Sequence, residues 1–298
     1  MPRATLSMPV PKPFDLRLCL FGHGWIDLPP HGWDEDANEF TTVLATRGGA
    51  VDATVRQPKK DALAVRLDSG KKLAKADVAA AGRALAHMLR LDDDLGAFHA
   101  LCRREPRLAW AARRGGGRLL RSACVFDDLM KLLFTTNTTW SGTKAMTQKL
   151  VDTLGEAAPS GRRAFPTAAA CVQDEAFYRD TVRTGYRAKA ATALARAFAD
   201  GALDDAAFLA PQPAIVLWKR LLALHGFGPY AAGQAMRLCG NYVKLALDSW
   251  CRARLCELDG TKKPPKDKAV EKRYAPFAPF QGLALWLDLT AEWHGEGR

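Results

Sequence analysis

Two glycines, a proline and an aspartate are the residues of this chain whose spacing carries chemistry. Leu221-Leu-Ala-Leu-His-Gly-Phe-Gly-Pro-Tyr-Ala-Ala232 is followed by Leu247-Asp-Ser-Trp250, which puts Asp248 twenty positions after Gly228. Gly226 and Gly228 let the backbone turn tightly and approach another chain closely, and Pro229 suits the first turn of a helix. A helix start presents bare amide N–H groups at its positive end. Such a turn is a candidate clamp on a nucleic-acid phosphate, not a reader of sequence. Asp248 offers a carboxylate that can stabilise growing positive charge or take a proton from water. The bland readings stand beside these: an Asp before a helix is a common N-cap, and Gly-x-Gly is common in turns.

These residues need two helices joined by a hairpin and a third helix to hold the carboxylate, and the apolar spacing supplies them. Helices are expected at Val125–Phe134, Ser141–Leu154, Tyr186–Asp200, Ile215–Leu224, Pro229–Cys239, Asp248–Leu258 and Phe280–His294. Earlier, Phe14–Phe21, Glu39–Leu44, Ala50–Arg56 and Ala62–Leu67 are short, partly alternating runs bounded by Gly, Pro or Asp, the pattern of antiparallel strands. Between Asp77 and Arg104 the spacing turns helical. The expected fold class is α+β: a small N-terminal antiparallel β-sheet unit with helices over residues 1–105, then an all-α core over residues 106–298. A Pro-rich start (Pro2 to Pro13) precedes the strands. The basic loop Arg113-Arg-Gly-Gly-Gly-Arg118 suits backbone contact with DNA or is simply solvated, and Lys262–Arg273 reads as a linker.

With 298 residues the chain can bury a sizeable core, which excludes fibrous and disordered classes. Lys and Arg outnumber the acids 43 to 32, for a net charge of +11 and a pI of about 9.4. An extended anionic partner accounts for that balance, as does a merely solvated face. Seven cysteines (Cys19, Cys102, Cys124, Cys171, Cys239, Cys251 and Cys256) contain no Cys-x-x-Cys pair, so free thiols in a reducing compartment are expected. No P-loop or dinucleotide fingerprint is present, so no cofactor is required. No apolar run approaches the ~20 residues of a membrane span, and no signal-like leader opens the chain. A monomer is expected, with no membrane partner, cytoplasmic and nucleoid-associated in a bacterium or nuclear in a eukaryote.

Together and in this order, the hairpin and Asp248 resemble the helix-hairpin-helix DNA glycosylase superfamily, whose pattern is Leu-Pro-Gly-(Val/Ile)-Gly with an active-site Asp beyond it. His225 stands where the family usually has Pro. Gly117-Arg-Leu-Leu-Arg121, with Val125-Phe-Asp-Asp-Leu-Met and Phe134-Thr-Thr-Asn-Thr-Thr139, looks like the 8-oxoguanine glycosylase segments Val-Arg-Leu-Leu-Arg and Ser-Ser-Asn-Asn-Asn. That match implies DNA contacts from Arg118 and Arg121 and gives Asn137 the gap left by an extruded base; an Asx-turn is its other reading. Thr184-Gly-Tyr-Arg-Ala-Lys189 is similar to Gly-Tyr-Arg-Ala-Arg, which implies that Arg187 reaches the orphaned partner base; a surface salt bridge is the alternative. Tyr274–Trp286 resembles the closing segment whose last aromatic, here Trp286, stacks on the extruded base, although an aromatic on such a helix is usually core. Phe21-Gly-His-Gly-Trp25 falls where the family has Ser-Gly-Gln-Ser-Phe, which would give Gly22 the carbonyl that senses the N7 hydrogen of 8-oxoguanine.

The resemblance implies a base-excision-repair enzyme acting on double-stranded DNA with a damaged base. Such an enzyme flips the nucleotide out, at a cost of a few kcal/mol, and breaks the C1′–N bond with Asp248 stabilising the cationic sugar. Bifunctional members carry a Schiff-base Lys two positions after the second hairpin Gly. Tyr230 stands there, at the base pocket and DNA, so a monofunctional, water-using enzyme without lyase activity is implied. Lys244 lies four residues before Asp248, off the hairpin helix, and is not assigned as the nucleophile. Also implied are a structural monovalent or divalent cation on the carbonyls of Leu222, Leu224 and Phe227 and, with only two cysteines after Asp248, no iron–sulfur cluster. Two other readings stay open. One is an alkylated-base (3-methyladenine type) glycosylase with an aromatic pocket, compatible with Trp140, Trp250 and Trp286. The other is a non-catalytic damaged-DNA binding protein.

Overall fold

Period-two burial builds a five-stranded antiparallel sheet in the order β1-β5-β4-β3-β2, from β1 (Arg3–Pro9), β2 (Gly32–Asp34), β3 (Glu39–Thr46), β4 (Gly49–Lys59) and β5 (Ala62–Asp68). The computed structural model describes residues 2–296, so positions 1 and 297–298, at the outer ends of the two expected domains, lie outside the described residues. Phe40, Val55, Leu63 and Val65 of the sheet share a core with Ala81, Leu85 and Met88 of helix α2 (Lys75–Met88). Three of the expected strands appear as β3, β4 and β5. The fourth does not: Phe14–Phe21 forms helix α1 (Leu16–Leu20), because the Asp15 carboxylate caps it by accepting the Leu18 N–H at 2.9 Å. The Pro-rich start is β1, paired only with β5 at the sheet edge, where proline is tolerated.

Helices α3 (Gly96–Cys102) and α4 (Ala109–Arg114) lead into α5 (Val125–Thr135), α6 (Trp140–Leu154), α7 (Ala188–Ala199) and α8 (Asp205–Leu209). Then come α9 (Ala214–Leu222), α10 (Pro229–Leu238), α11 (Ser249–Asp259), α12 (Asp267–Tyr274) and α13 (Gln281–Thr290). The stretch expected to be a linker contains α12, anchored because Val270 and Tyr274, one turn apart, are both buried. Among the described residues, no helix is long and apolar enough to cross a membrane.

The core is continuous across the two segments. One cluster runs from Phe40 and Leu63 through Met88 to Leu129, Leu194, Leu221 and Met236, and a second joins Leu18, Phe98 and Trp110 to Tyr242, Leu255 and Trp286. The first reaches α10 and the second α13, the helices that carry the site.

Two arginines hold α10 by its C-terminal end, and a third braces the first of them. Arg90, fully buried, donates to the carbonyls of Arg237 and Leu238 at 2.8 and 2.7 Å, to that of Leu119 at 2.8 Å and to Asp93 at 2.8 Å. Arg121 donates to the carbonyls of His87 at 2.7 Å and Leu238 at 3.2 Å, and Arg118 to that of Arg90. Cations at the carbonyl end of a helix offset its negative pole and satisfy acceptors that have no partner within the helix. The expectation that Arg118 and Arg121 face DNA is therefore corrected: both side chains are buried and bonded inward, pulled in by Leu119 and Leu120 between them. The basic glycine loop is likewise no free loop. Arg113 and Arg114 end α4, left-handed Gly115 (φ +78) closes it, and residues 115–121 are buried.

Candidate active site

The chain turns from α9 into α10 over residues 223–228. Gly226 sits in the left-handed region at φ +84, and a Cβ there would stand 2.9 Å from side-chain atoms of Ala190 and Leu133, so both backbone and packing require glycine. Gly228 is different: it caps α10, and a Cβ on it would meet nothing within 4 Å. Nothing inside the protein demands a missing side chain there. What the glycine clears is the outer face of the turn, beside the first N–H groups of α10, which have no partners within the helix. His225 is exposed and leaves the two glycines in place. The Leu224 carbonyl accepts the Phe227 N–H at 3.1 Å, and among the described residues nothing donates to the carbonyls of Leu222 and Phe227.

Asp248 is the N-cap of α11, its Oδ1 accepting the Cys251 N–H at 2.7 Å. A carboxylate has two oxygens, so a cap on one leaves the other for chemistry, and the two readings of this residue coexist. Its position is set by the segment over residues 241–247, wedged between α10 and α13. The Gly282 N–H donates to the Tyr242 carbonyl at 2.6 Å, Arg237 donates to the Leu245 carbonyl at 3.1 Å, and Ala246 takes up a left-handed backbone at φ +54. A Cβ on Gly282 would stand 2.1 Å from the Lys244 carbonyl, and one on Gly233 would stand 2.7 Å from the Ala246 Cβ. Tyr230 is half-buried within electrostatic reach of Asp248. Burial raises its phenol above the ordinary value, opposed by a hydrogen bond with Thr135 and reinforced by the Asp248 anion, so it is neutral at pH 7. Lys244 lies with its Nζ 4.5 Å from the Trp218 ring centroid, in a cavity of about 510 Å³ also lined by Tyr230, Leu247 and Arg252.

Trp286 and Gly22 meet, and they are bonded to each other: the indole N–H donates to the Gly22 carbonyl at 2.7 Å, across 264 positions of sequence. The Arg237 guanidinium stands 4.8 Å from the Trp286 ring centroid. Ring centroids of Trp250, His23 and Trp293 lie 5.5, 5.6 and 5.9 Å from it. Trp286 is 8% exposed, whereas Trp250 and Trp293 retain 38% and 45%. The cluster therefore has an open tryptophan pair outside and a polar floor inside. On that floor His23 packs against Trp25 at 4.3 Å, and Trp25 is itself fixed by donating to Asp128 at 2.6 Å. Arg237 donates through Nη1 to Gln234 at 2.7 Å and through Nη2 to Leu245. Among the described residues, two buried polar atoms of the floor, His23 Nδ1 and Arg237 Nε, have no hydrogen-bond partner.

Asn137 is exposed at the α5–α6 turn in the left-handed region (φ +44), which asparagine tolerates. Its side chain is not spent on a cap: Nδ2 donates to the Tyr186 hydroxyl at 3.1 Å. Arg187 neither forms a surface salt bridge nor reaches outward. It is buried, donating to the Thr136 carbonyl at 3.0 Å, the Asn137 carbonyl at 3.2 Å and the Thr184 carbonyl at 3.0 Å, with its guanidinium 4.6 Å from the Tyr186 ring centroid. Arg187 thus braces the Asn137 turn, and Tyr186, 67% exposed, is the outward side chain of the pair.

Sequence reasoning missed Tyr186 and Arg237. The second had a signal: it falls seven residues, two helical turns, after Tyr230, on the same side of α10.

No protein-family model and no curated protein sequence matches the chain. Solved structures do match it in fold. The 3-methyladenine DNA glycosylase from Archaeoglobus fulgidus is similar at a TM-score of 0.76 and 16% identity, covering 97% of this chain and 99% of that one. MBOgg1 in complex with a low-affinity DNA ligand gives 0.73 and 18%, covering 98% and 96%. The apo-form 8-oxoguanine glycosylase/lyase of Clostridium acetobutylicum gives 0.65 and 16%, covering 90% and 93%. The α+β fold of this chain is shared with these three solved structures, over nearly its whole length.

Proposed function

We propose that this chain is a monofunctional DNA glycosylase of base-excision repair, which hydrolyses the N-glycosidic bond of a damaged purine in double-stranded DNA. The observation that carries the reading is the partly buried Asp248 carboxylate at the head of α11, near a hairpin whose outer face Gly228 keeps clear, with a neutral phenol where an amine would make a Schiff base. The fold shared with DNA glycosylases, one of them bound to a DNA ligand, supports it.

In this reading the hairpin N–H groups hold a backbone phosphate, and the carbonyls of Leu222, Leu224 and Phe227 would hold a structural cation, which would supply positive charge at the clamp. Asn137 and Tyr186 occupy the gap left by the flipped nucleotide, with Arg187 acting through them. As the C1′–N bond lengthens, positive charge grows on the sugar and Asp248 stabilises it. The C1′–N bond breaks with its electron pair going to the damaged base, water adds to C1′, and the proton that water loses passes by way of Asp248 to the departing base, so that an abasic site remains. Arg118 and Arg121 contribute by fixing α10, not by touching DNA. The protein acts as a monomer, in the nucleoid or the nucleus.

An oxidised purine is the first reading of the lesion. A second, an alkylated purine, is favoured by a specific observation: Trp286 already occupies the Gly22 carbonyl, while the Trp250–Trp293 pair offers open aromatic faces to a cationic base.

The deciding experiment uses duplexes with one lesion each (8-oxoguanine opposite every base, 3-methyladenine, 7-methylguanine, hypoxanthine) and measures abasic sites with and without alkali. Strand cleavage only after alkali, at one lesion class, is expected. Cleavage without alkali defeats the monofunctional reading, and tight lesion binding with no release of any base makes the protein a binder.

Gly282→Ala tests how Asp248 is placed. The new methyl overlaps the Lys244 carbonyl, so the segment leading to Asp248 must shift. Overpacking of this kind costs about 1–3 kcal/mol, and a displacement near 1 Å costs on the order of 10²-fold in rate. A lowered melting temperature together with a slower single-turnover rate is the expected pair; an unchanged rate means that this contact does not position the carboxylate.

A further inference from the structure

We propose that the lysines of residues 262–272 form a second clamp on the DNA backbone, gripping the duplex to one side of the lesion. The inference rests on the glycosylase reading and extends the partner's footprint beyond the hairpin. Lys262, Lys263, Lys266, Lys268 and Lys272 are exposed, and among the described residues none of them has an ion-pair partner. Of the two acids in this stretch, Asp267 is bound by Arg252 at 2.5 and 3.2 Å, which leaves Glu271 against five ammonium groups. Like charges crowded on one surface repel each other, and a polyanion relieves the repulsion.

The same charge on a loose loop would read as solvation. Here the backbone beneath it is fixed: Arg252 holds Asp267 at the head of α12, Arg273 near its end donates to Asp259 at 3.1 and 2.7 Å, and Val270 and Tyr274 are buried. Pro264 and Pro265 stiffen the approach to the helix. Lysines on a fixed backbone lose less freedom on binding. The Arg252 tie also sets where the patch lies. Arg252 is four residues after Asp248, one turn along the same side of α11, so the lysines flanking Asp267 are joined to the helix that carries the carboxylate. The open cavity of about 510 Å³ is lined by Pro229 and Tyr230 from the head of α10, by Asp267 and Glu271 of α12, and by Lys244. Hairpin and lysine patch therefore border one groove. The first offers N–H groups and the second ammonium groups; both suit phosphate, and neither reads sequence.

The affinity of the full-length protein for an undamaged duplex should be measured against salt concentration by fluorescence anisotropy. The test variant combines Lys262→Gln, Lys263→Gln, Lys266→Gln and Lys268→Gln. A control removes equal charge from exposed lysines of the sheet unit, by Lys59→Gln, Lys60→Gln, Lys71→Gln and Lys72→Gln. Each phosphate contact adds about 0.9 to the slope of log affinity against log salt, so losing two to four contacts lowers the slope by about 2–4 and weakens binding at least about tenfold near 0.1 M salt. The control is expected to move the slope by less than about 1. An unchanged slope in the test variant, or an equal loss in the control, overturns the proposal, returns the patch to a solvated face and leaves the glycosylase reading standing. An unmodified protein that binds no DNA at any salt concentration removes the underlying reading instead. A second measurement shortens a duplex carrying an abasic-site analogue, one side at a time. Lost affinity on one side for the unmodified protein, and none for the test variant, is expected; the same loss for both proteins overturns the proposal.

Discussion

Asp248→Asn is expected to slow single-turnover base release by on the order of 10³-fold while changing lesion-duplex affinity by no more than a few-fold. The expectation follows from the two roles of this side chain. Its cap on the Cys251 N–H needs only an oxygen, and Asn is as good an N-cap as Asp, so α11 keeps its start and the protein its melting temperature. Its chemistry needs a negative charge, which Asn lacks. Asp248→Ala would mix the two effects, adding about 1 kcal/mol of lost capping to the lost charge. The measurement is quantitative release under enzyme excess, with a thermal melt as control. Release by a folded Asn variant within tenfold of the original would defeat the mechanism.

On the monofunctional reading, Tyr230→Lys is expected to give a protein that borohydride traps on its DNA, where the unmodified one leaves no covalent trace. Tyr230 lies in the first turn of α10, half-buried and near Asp248. Burial lowers a lysine pKa and the Asp248 anion opposes that, so a fraction of free amine persists at mildly alkaline pH. That amine attacks C1′, the base departs, and the ring-opened sugar forms an imine that loses its 3′ phosphate by β-elimination. Borohydride reduces the imine to a stable amine link. The readout is a shifted band on a denaturing gel, absent from the unmodified protein, and strand breaks without alkali. A folded variant that still releases base but forms no adduct would mean that position 230 does not face C1′.

What could be read from the sequence follows a physical division. Gly226 was legible because a left-handed backbone and a tight contact at one position leave few residue choices, and α5, α6, α7, α9, α10, α11 and α13 followed from apolar spacing, whereas α8, of five residues, and the mostly polar α12 did not. Arg118, Arg121 and Arg187 were placed at the DNA surface and lie in the interior. A charged side chain says nothing about which distant carbonyls lack partners, and here those belong to Arg90, Leu238, Thr136 and others far along the chain. Phe14–Phe21 was misread because a single capping carboxylate outweighs weak alternation over so short a run. The bond between Trp286 and Gly22 joins segments that no local pattern relates, and it bears directly on which lesion is removed.

That bond also sets when the two ends of the chain can meet. Residue 22 leaves the ribosome long before residue 286, and at roughly 5–20 residues per second the two walls of the pocket are made tens of seconds apart. An unfinished chain that has passed α11 contains the hairpin and Asp248 but neither Trp286 nor the α13 backbone against which the segment leading to Asp248 is wedged, so both sides of the site are completed only when the last helix is made.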